Sequence, residues 1–161
     1  MPFQSIGVVF VVFVVFCVIV QQSHATTPRK IYAAGSGMDM LSLPETVSEI
    51  LELSGRHNPR VLYLGTATYD AEPAKQTQTK SFVAAGCTIS ELKVAYQTPT
   101  HAEIVAAFAD ADIVLVSGGN TLFAVDRWFK LGIPDVLRSS LDNGTTLCGG
   151  SAGGIVWFDG G

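Results

Sequence analysis

The sequence predicts an α/β fold in which a parallel sheet carries helices on both faces. Strand-like apolar segments alternate with helix-like segments, an order typical of parallel strands joined by crossover helices. Asp112 to Val116 is continuously apolar after its first residue, as expected for a strand buried on both faces. Glycine-rich loops follow three of the predicted strands, and ligands bind such sheets where the strands end.

The first half of the chain contains three predicted strands and two predicted helices. Lys30 to Ala34 is the first strand, and it ends at Gly35-Ser36-Gly37. Pro44 to Ser54 is predicted to be helical, because proline suits the first turn and Gly55 suits the C-terminal stop. The other elements are a strand over residues 60–65, a helix over residues 72–85 and a strand over residues 88–94.

The second half continues the same alternation. A helix is expected from Thr100 to Phe108, with Thr100 as the N-cap and Glu103 completing a capping box. The strand over residues 112–116 ends in Ser117-Gly118-Gly119-Asn120-Thr121. Helices are expected over residues 122–131 and 134–142. Asn143-Gly144 then turns the chain into the final strand.

An N-terminal segment is predicted to direct the protein into the secretory pathway. Ile6 to Val20 is an apolar run of 15 residues, shorter than the about 20 residues of a membrane span. Small residues at Ser23 and Ala25 predict cleavage after Ala25, and an uncleaved signal anchor is the alternative. We therefore expect a signal peptide over residues 1–25 and one α/β domain over residues 26–161. The mature protein would be secreted or lumenal and free of the membrane.

Composition excludes some partners and leaves others open. The formal net charge is −4, and no stripe of basic residues is present, so nucleic acid is not an expected partner. Cys87 and Cys148 could pair in an oxidising compartment, but Cys148 lies on a predicted strand and Cys87 begins another, which favours two buried free thiols. Asn143-Gly144-Thr145 is an N-glycosylation sequon in a turn. Gly35-Ser36-Gly37 is followed by Met40 where a dinucleotide fingerprint needs its third glycine, so no nucleotide cofactor is expected.

The most informative stretch is Cys148-Gly149-Gly150-Ser151-Ala152-Gly153-Gly154. A strand that runs into Gly-x-Ser-x-Gly has the sequence form of a nucleophile elbow. A serine on such a sharp turn has a strained backbone and needs very small neighbours. Ser151 is therefore the candidate nucleophile, and the alternative is a glycine-rich turn with an incidental serine.

Attack by a serine on a carbonyl group creates an oxyanion that needs hydrogen-bond donors already in place. The N–H of Ala152 is the expected first donor. Gly118 or Gly119 would supply the second, because glycine lets the backbone approach a ligand closely. Asn120 would fix this loop or contact substrate. A helix-capping turn is the alternative reading of the loop.

These two motifs together resemble peptidase E. Leu115-Val116-Ser117-Gly118-Gly119-Asn120-Thr121, followed about thirty residues later by Cys148 to Gly161, is similar to the aspartyl dipeptidase and cyanophycinase family of serine peptidases. The resemblance covers most of Lys30 to Gly161. It implies a fold like that of class I glutamine amidotransferase domains (flavodoxin-like), with Ser151 as nucleophile and Ala152 with a glycine of Gly118-Gly119 as oxyanion donors. It also implies hydrolysis of small peptides, often beside an aspartyl residue, without a metal or cofactor.

The resemblance leaves the catalytic base unassigned. The family's histidine and acid lie downstream of the serine, whereas this sequence ends ten residues after Ser151. His57 is expected at the opposite edge of the sheet, and His101 is more simply a solvated or capping residue. Asp70 and Glu72 are expected to cap or to face solvent. We therefore expect a C-terminally truncated form that is inactive as written and that leaves Trp157 and Phe158 exposed.

Two other functions remain open from the sequence. The first is a secreted binding module that keeps the pocket without catalysis. The second is an α/β-hydrolase esterase, whose elbow pattern is the same but which the Gly-Gly-Asn-Thr loop disfavours. If the substrate carries an aspartate, Arg127 and Lys130 are weak candidates for binding it. The glutamine amidotransferases have cysteine where this chain has Ser151, which argues against ammonia transfer. An oligomer is compatible with the sequence.

Overall fold

The computed structural model describes residues 27–158. The predicted signal peptide and its cleavage site lie outside the described residues. Within this range, no helix has the length and apolar character needed to cross a membrane.

The described chain forms one sheet with helices between its strands. The strands are β1 Lys30–Ala34, β2 Arg60–Leu64, β3 Thr88–Glu91, β4 Ile113–Val116 and β5 Thr146–Gly150. The helices are α1 Pro44–Ser54, α2 Glu72–Ala84, α3 His101–Ala109, α4 Thr121–Leu131, α5 Ile133–Asp142 and α6 Ala152–Ile155. Single 3₁₀ turns occupy Met40–Ser42 and Thr66–Thr68. The strand order is β1-β5-β4-β2-β3, and every pairing is parallel.

Helices cover both faces of the sheet, which confirms the predicted fold class. Successive strand side chains point to opposite faces, so Leu62 and Val114 join one core while Val61 and Ile113 join the other. The first core contains apolar side chains of α3, α4 and α5, and the second contains those of α1 and α2. Fully burying one such aliphatic or aromatic side chain contributes about 1.5–3 kcal/mol.

Local signals set the helix ends, and those at Thr100 and Gly55 are as predicted. The Thr100 N–H donates to Glu103 Oε2 at 2.7 Å, and the Glu103 N–H donates to Thr100 Oγ1 at 3.3 Å, which completes the capping box. Gly55 ends α1 in the left-handed conformation with φ +68°. Helix α4 begins one residue earlier than predicted, because Asn120 Oδ1 accepts the Phe123 N–H at 3.0 Å and acts as its N-cap.

The prediction for the third strand is partly wrong. Strand pairing in β3 ends at Glu91, not at residue 94. The chain then bends, and the Ala95 N–H donates to Asp70 Oδ2 at 2.7 Å instead of to a strand. Leu92 and Val94 are nevertheless buried in the first core. Their apolar character reflects packing under a loop, which sequence alone does not distinguish from strand pairing.

Both described cysteines are free and buried, as preferred from the sequence. Cys87 and Cys148 lie in the second core, among the side chains that α1 and α2 cover. Burial raises the pKa of each thiol, because a thiolate loses its hydration there. Neither thiol is therefore in the reactive, ionised form near neutral pH.

Candidate active site

Three glycine-containing loops meet at the carboxyl edge of the sheet. A β-carbon added to Gly37 would lie 2.9 Å from both the Gly118 nitrogen and the Gly150 carbonyl oxygen. One added to Gly118 would lie 3.4 Å from Cβ of Ser151. The loops after β1, β4 and β5 are therefore in backbone contact around Ser151. The contribution of Gly37 was missed from the sequence, although its loop was singled out.

Ser151 occupies a sharp turn between β5 and α6. Its backbone has φ +54° and ψ −121°, a region in which a residue with a side chain loses on the order of 1–3 kcal/mol. The surrounding backbone holds it there: the Ser151 N–H donates to Ala34 O at 3.0 Å, and its carbonyl accepts the N–H groups of Gly154 at 2.9 Å and Ile155 at 3.0 Å. The strand–turn–helix geometry thus presents the serine side chain away from the sheet.

The Ser151 side chain is exposed in an open cleft of about 400 Å³. The other lining residues come from the end of β1 and from α6: Ala33, Ala34, Gly35, Gly154, Ile155 and Phe158. Most of this lining is apolar or backbone. The cleft therefore has room for a small peptide next to the hydroxyl.

The turn over residues 149–154 requires glycine at specific positions. A β-carbon on Gly149 would overlap the carbonyl oxygen of Gly153, and one on Gly153 would overlap that of Val116 and lie 2.7 Å from that of Ser117. The backbone of α6 thus packs directly on the ends of β4 and β5. Such contact is possible only where side chains are absent.

Free backbone donors accompany the serine. Among residues 27–158, no protein group accepts a hydrogen bond from the N–H of Gly118, Gly119 or Ala152. Gly119 has φ +122°, and a β-carbon there would overlap the Ala67 carbonyl oxygen. The residues named from the sequence as oxyanion donors therefore lie on the two loops in contact at Ser151. Their part in catalysis stays a prediction.

Asn120 fixes the loop over residues 117–121. Its N–H donates to Ala67 O at 2.8 Å, and its Nδ2 donates to the Tyr69 hydroxyl at 3.0 Å. Because Oδ1 also caps α4, both ends of the side-chain amide have partners. Of the two roles expected for Asn120, loop fixation is present in the structure. Substrate contact stays a prediction.

The described histidines lie away from Ser151. His57 lies at the amino edge, in a groove with Arg56 and Pro59. His101 lines a groove between α3 and α5. Within residues 27–158, no side chain is hydrogen-bonded to the Ser151 hydroxyl, and no three His, Cys, Asp or Glu side chains are grouped as metal ligands. The described residues supply a serine and free N–H groups, without a neighbouring base.

Asp70 on the loop after β2 and Glu72 at the start of α2 have structural partners. Asp70 accepts the Ala95 N–H, and burial raises the pKa of its carboxyl group. Glu72 pairs with Lys75 at 2.7 Å, and this hydrogen bond lowers its pKa. Beneath this loop, Tyr63 donates to Gln78 Oε1 at 3.3 Å, and burial raises its pKa to about 12.

The two cationic candidates for binding an acidic substrate are already engaged. Arg127 Nε donates to Val94 O at 2.9 Å, and its Nη2 donates to Gln97 O at 2.8 Å. Lys130 pairs with Asp126 at 2.6 Å, one turn away on α4. Arg127 therefore holds the loop after β3. Sequence reasoning missed this role, because its partners lie 30 and 33 residues away.

Two expectations about the last described residues can be compared with the structure. Trp157 was expected to be exposed, and this is wrong: it is partly buried against the first core. Phe158 is 62% exposed, as expected. Within the described sheet β1 pairs only with β5 and forms an edge.

The sequon lies far from Ser151 along the sheet. Asn143 is exposed in the turn that precedes β5, at the amino edge, whereas Ser151 follows β5 at the carboxyl edge. A glycan at Asn143 would leave the cleft open. Its presence stays a prediction.

The fold and site define an α/β protein with a serine on a tight turn at the carboxyl edge of a parallel sheet. The model of peptidase family S51 matches residues 31–161, and the chain belongs to this family. This confirms the resemblance to peptidase E. It also removes support for the α/β-hydrolase esterase alternative.

Known relatives agree with this assignment. The uncharacterized peptidase YgaJ of Bacillus subtilis (strain 168) is 33% identical over 136 residues, which cover 81% of this chain and 57% of that protein. A crystal structure described as a peptidase E protein from Listeria monocytogenes EGD-e has a TM-score of 0.67 at 20% identity, covering 80% of this chain and 61% of that one. A peptidase from an acI-B1 Actinobacterium has a TM-score of 0.64 at 22% identity, covering 78% and 55%.

The structural likenesses show that the fold is shared. The chain spans little more than half the length of the curated relative that it matches. We therefore treat the activity and substrates of the whole protein as proposals.

Proposed function

We propose that this chain provides the nucleophile and the oxyanion donors of a serine peptidase that acts on small peptides. The observation that carries the proposal is the strained backbone of Ser151, with φ +54°, at a turn in contact with Gly118. Strain at an exposed serine costs stability and persists where the surroundings enforce it. Membership of peptidase family S51 supports the same function.

In the proposed reaction the Ser151 hydroxyl attacks the carbonyl carbon of the scissile peptide bond. The N–H of Ala152 and that of Gly118 or Gly119 hold the oxyanion that forms, and removal of one such donor typically lowers kcat by about 10²–10³. A base must take the hydroxyl proton and give it to the leaving amine as the C–N bond breaks, which leaves the acyl group on Ser151. Water, activated by the same base, then hydrolyses this ester and frees the serine. We propose that this base lies outside the described residues, because His57 and His101 lie elsewhere. Without that base, the described part would bind peptide but not turn it over.

Labelling with a fluorophosphonate probe tests the assignment of the nucleophile. We expect labelling of the folded, full-length protein that is abolished by Ser151→Ala. Ser36→Ala is the matched control, because Ser36 lies in the adjoining loop after β1 and its hydroxyl is bonded to Asp39 at 3.0 Å. Labelling that survives Ser151→Ala would contradict the assignment of Ser151 as the nucleophile.

The second candidate function is peptide binding without catalysis. The specific observation that favours it is the lack of a histidine beside Ser151 within residues 27–158. A folded protein that binds small peptides but takes up no fluorophosphonate would establish this alternative.

We also propose, from the N-terminal apolar segment alone, that the protein is secreted. N-terminal sequencing of secreted material would contradict cleavage after Ala25 if it began at Met1.

A further inference from the structure

Two exposed aromatic side chains, Tyr69 and Tyr96, pack with the partly buried Phe123 beside the loop over residues 117–121, and we term these three residues the aromatic patch. The ring centroids of Tyr69 and Phe123 are 4.7 Å apart, and those of Tyr69 and Tyr96 are 6.4 Å apart with an interplanar angle of 16°. Tyr96 is 77% exposed and Tyr69 is 45% exposed. Rings of this size normally bury most of their surface. A contiguous exposed group of them is typical of a binding surface.

Polar contacts hold the patch in place. Arg127 donates to two carbonyl groups of the loop over residues 94–97, and Asp70 accepts an N–H from the same loop. Tyr96 is therefore carried on backbone that is tied from two sides. The Tyr69 hydroxyl accepts a hydrogen bond from Asn120. A preorganised surface of this kind loses little conformational entropy when a ligand binds.

The patch lies within reach of a peptide bound at Ser151. Gly118 is next to Ser151, and Asn120 follows two residues later, a span of at most about 7 Å. The Tyr69 hydroxyl is 3.0 Å from the Asn120 amide. In the strand order β1-β5-β4-β2-β3, the loops that carry Tyr69 and Tyr96 follow β2 and β3, two and three strands from β5, which corresponds to about 10–14 Å at about 4.8 Å per strand. An extended peptide covers that distance in about three to four residues.

The chemistry of the patch favours an apolar group over an acidic one. Arg127, the cation nearest to it on α4, is occupied by two carbonyl groups, and Lys130 is paired with Asp126. The exposed atoms are chiefly aromatic ring faces with two phenol hydroxyl groups. Such surfaces bind large apolar and aromatic side chains by burying area and by ring stacking.

We propose that the aromatic patch is a specificity site that receives a large apolar or aromatic side chain of a small peptide substrate, about three to four residues from the bond at Ser151. The proposal rests on the proposed function for the place of the scissile bond. It differs from an aspartyl preference in the substrate class that it names.

Peptide titrations followed by NMR chemical shifts test this inference in Ser151→Ala protein, in which hydrolysis does not interfere. The ligands are tetra-alanine, four peptides with one alanine replaced by phenylalanine, and four with one replaced by aspartate. We expect at least one phenylalanine peptide to bind about three- to tenfold more tightly than tetra-alanine. Adding Tyr96→Ala should abolish that preference, so that the phenylalanine peptide binds no more tightly than tetra-alanine.

Phe129→Ala is the matched control, because Phe129 is an exposed aromatic residue on the far part of α4 (71% exposed). It should leave the preference intact. Stronger binding of aspartate peptides, equal binding of all peptides, or a phenylalanine preference that survives Tyr96→Ala would overturn the inference. Concentration-dependent self-association that Tyr96→Ala removes would also overturn it, by making a second copy the occupant. Since binding is measured without turnover, absent fluorophosphonate labelling would contradict only the proposed function.

Discussion

The loops on the two sides of Ser151 are held in place by different means. On the side of β1, β4 and β5, Gly37, Gly118 and Gly150 bring backbone against backbone, without side chains between them. On the side of β2 and β3, hydrogen bonds with the side chains of Arg127 and Asp70 hold the loop over residues 94–97. A methyl group added to one of these glycines would disrupt the first arrangement. The second would be disrupted by the loss of one of the side-chain hydrogen bonds.

The glycine side should give the largest effect on stability. Gly149→Ala places a methyl group into the Gly153 backbone, and no flexible side chain is there to move aside. We expect a loss of about 3 kcal/mol or more in the free energy of unfolding, at the upper end for an overpacked core. Gly35→Ala is the control, because no heavy atom lies within 4 Å of its added β-carbon. Urea denaturation showing equal losses for both variants would refute direct backbone packing.

The side-chain-held side should give an intermediate effect. Arg127→Ala leaves the carbonyl groups of Val94 and Gln97 without their donor, and we expect a loss of about 1–2 kcal/mol. Lys130→Ala removes only an exposed pair with Asp126 and should cost within about 0.5 kcal/mol. Hydrogen exchange should speed up in the loop over residues 94–97 in the first variant alone. Unchanged exchange there would show that Arg127 does not hold the loop.

Ser151 itself should show that the turn is strained. Ser151→Gly stabilises the folded state by relieving about 1–3 kcal/mol of backbone strain. It also destabilises the folded state by about 0.5–1 kcal/mol, because glycine has more conformational entropy in the unfolded chain. We therefore expect a gain of about 1 kcal/mol in thermal or urea denaturation, although the proposed nucleophile is lost. Ser151→Ala keeps the β-carbon and should change stability little. A Ser151→Gly variant no more stable than Ser151→Ala would contradict strain at this residue.

The titration of Asp70, on the side held by side chains, should make a pH-dependent contribution to stability. It is the smallest of the four predicted effects on stability. Burial, followed by the nearby Glu91 charge, raises its folded-state pKa above the ordinary value of 3.8. The folded state then holds the proton more tightly than the unfolded state, so this contribution to stability is fully present below pH 3.8. It is lost as the pH rises through the folded-state pKa.

Asp70→Asn keeps an oxygen that accepts the Ala95 N–H but removes the titration. The stability of the wild type relative to this variant should therefore be greater at pH 3 than at pH 7, as measured by urea denaturation at both values. A difference that is constant with pH, or one of opposite sign, would contradict the assigned shift.

The same contrast explains what could be predicted from the sequence. The alternation of apolar segments predicted every strand and the five longer helices, and the capping box of Thr100 predicted the start of α3. The end of β3 was misplaced because Leu92 and Val94 are buried by a loop rather than by a strand. Trp157 was expected to be exposed, yet it packs against the first core and is partly buried. Local sequence carries no information about that contact.

The sequence by itself predicted the turn at Ser151, because its glycine pattern lies within residues 149–154, although the backbone that requires Gly150 and Gly153 comes from other loops, at Ser36 and Val116. It also determined the parallel α/β architecture, since that follows from the order and period of apolar segments. Only the tertiary structure decided how the site is framed. The hydrogen bonds from Arg127 to Val94, from Asn120 to Tyr69 and from Trp128 to Thr66 join residues 33, 51 and 62 positions apart. Such pairings depend on which strand ends lie side by side, and the strand order β1-β5-β4-β2-β3 is set by packing of the whole sheet.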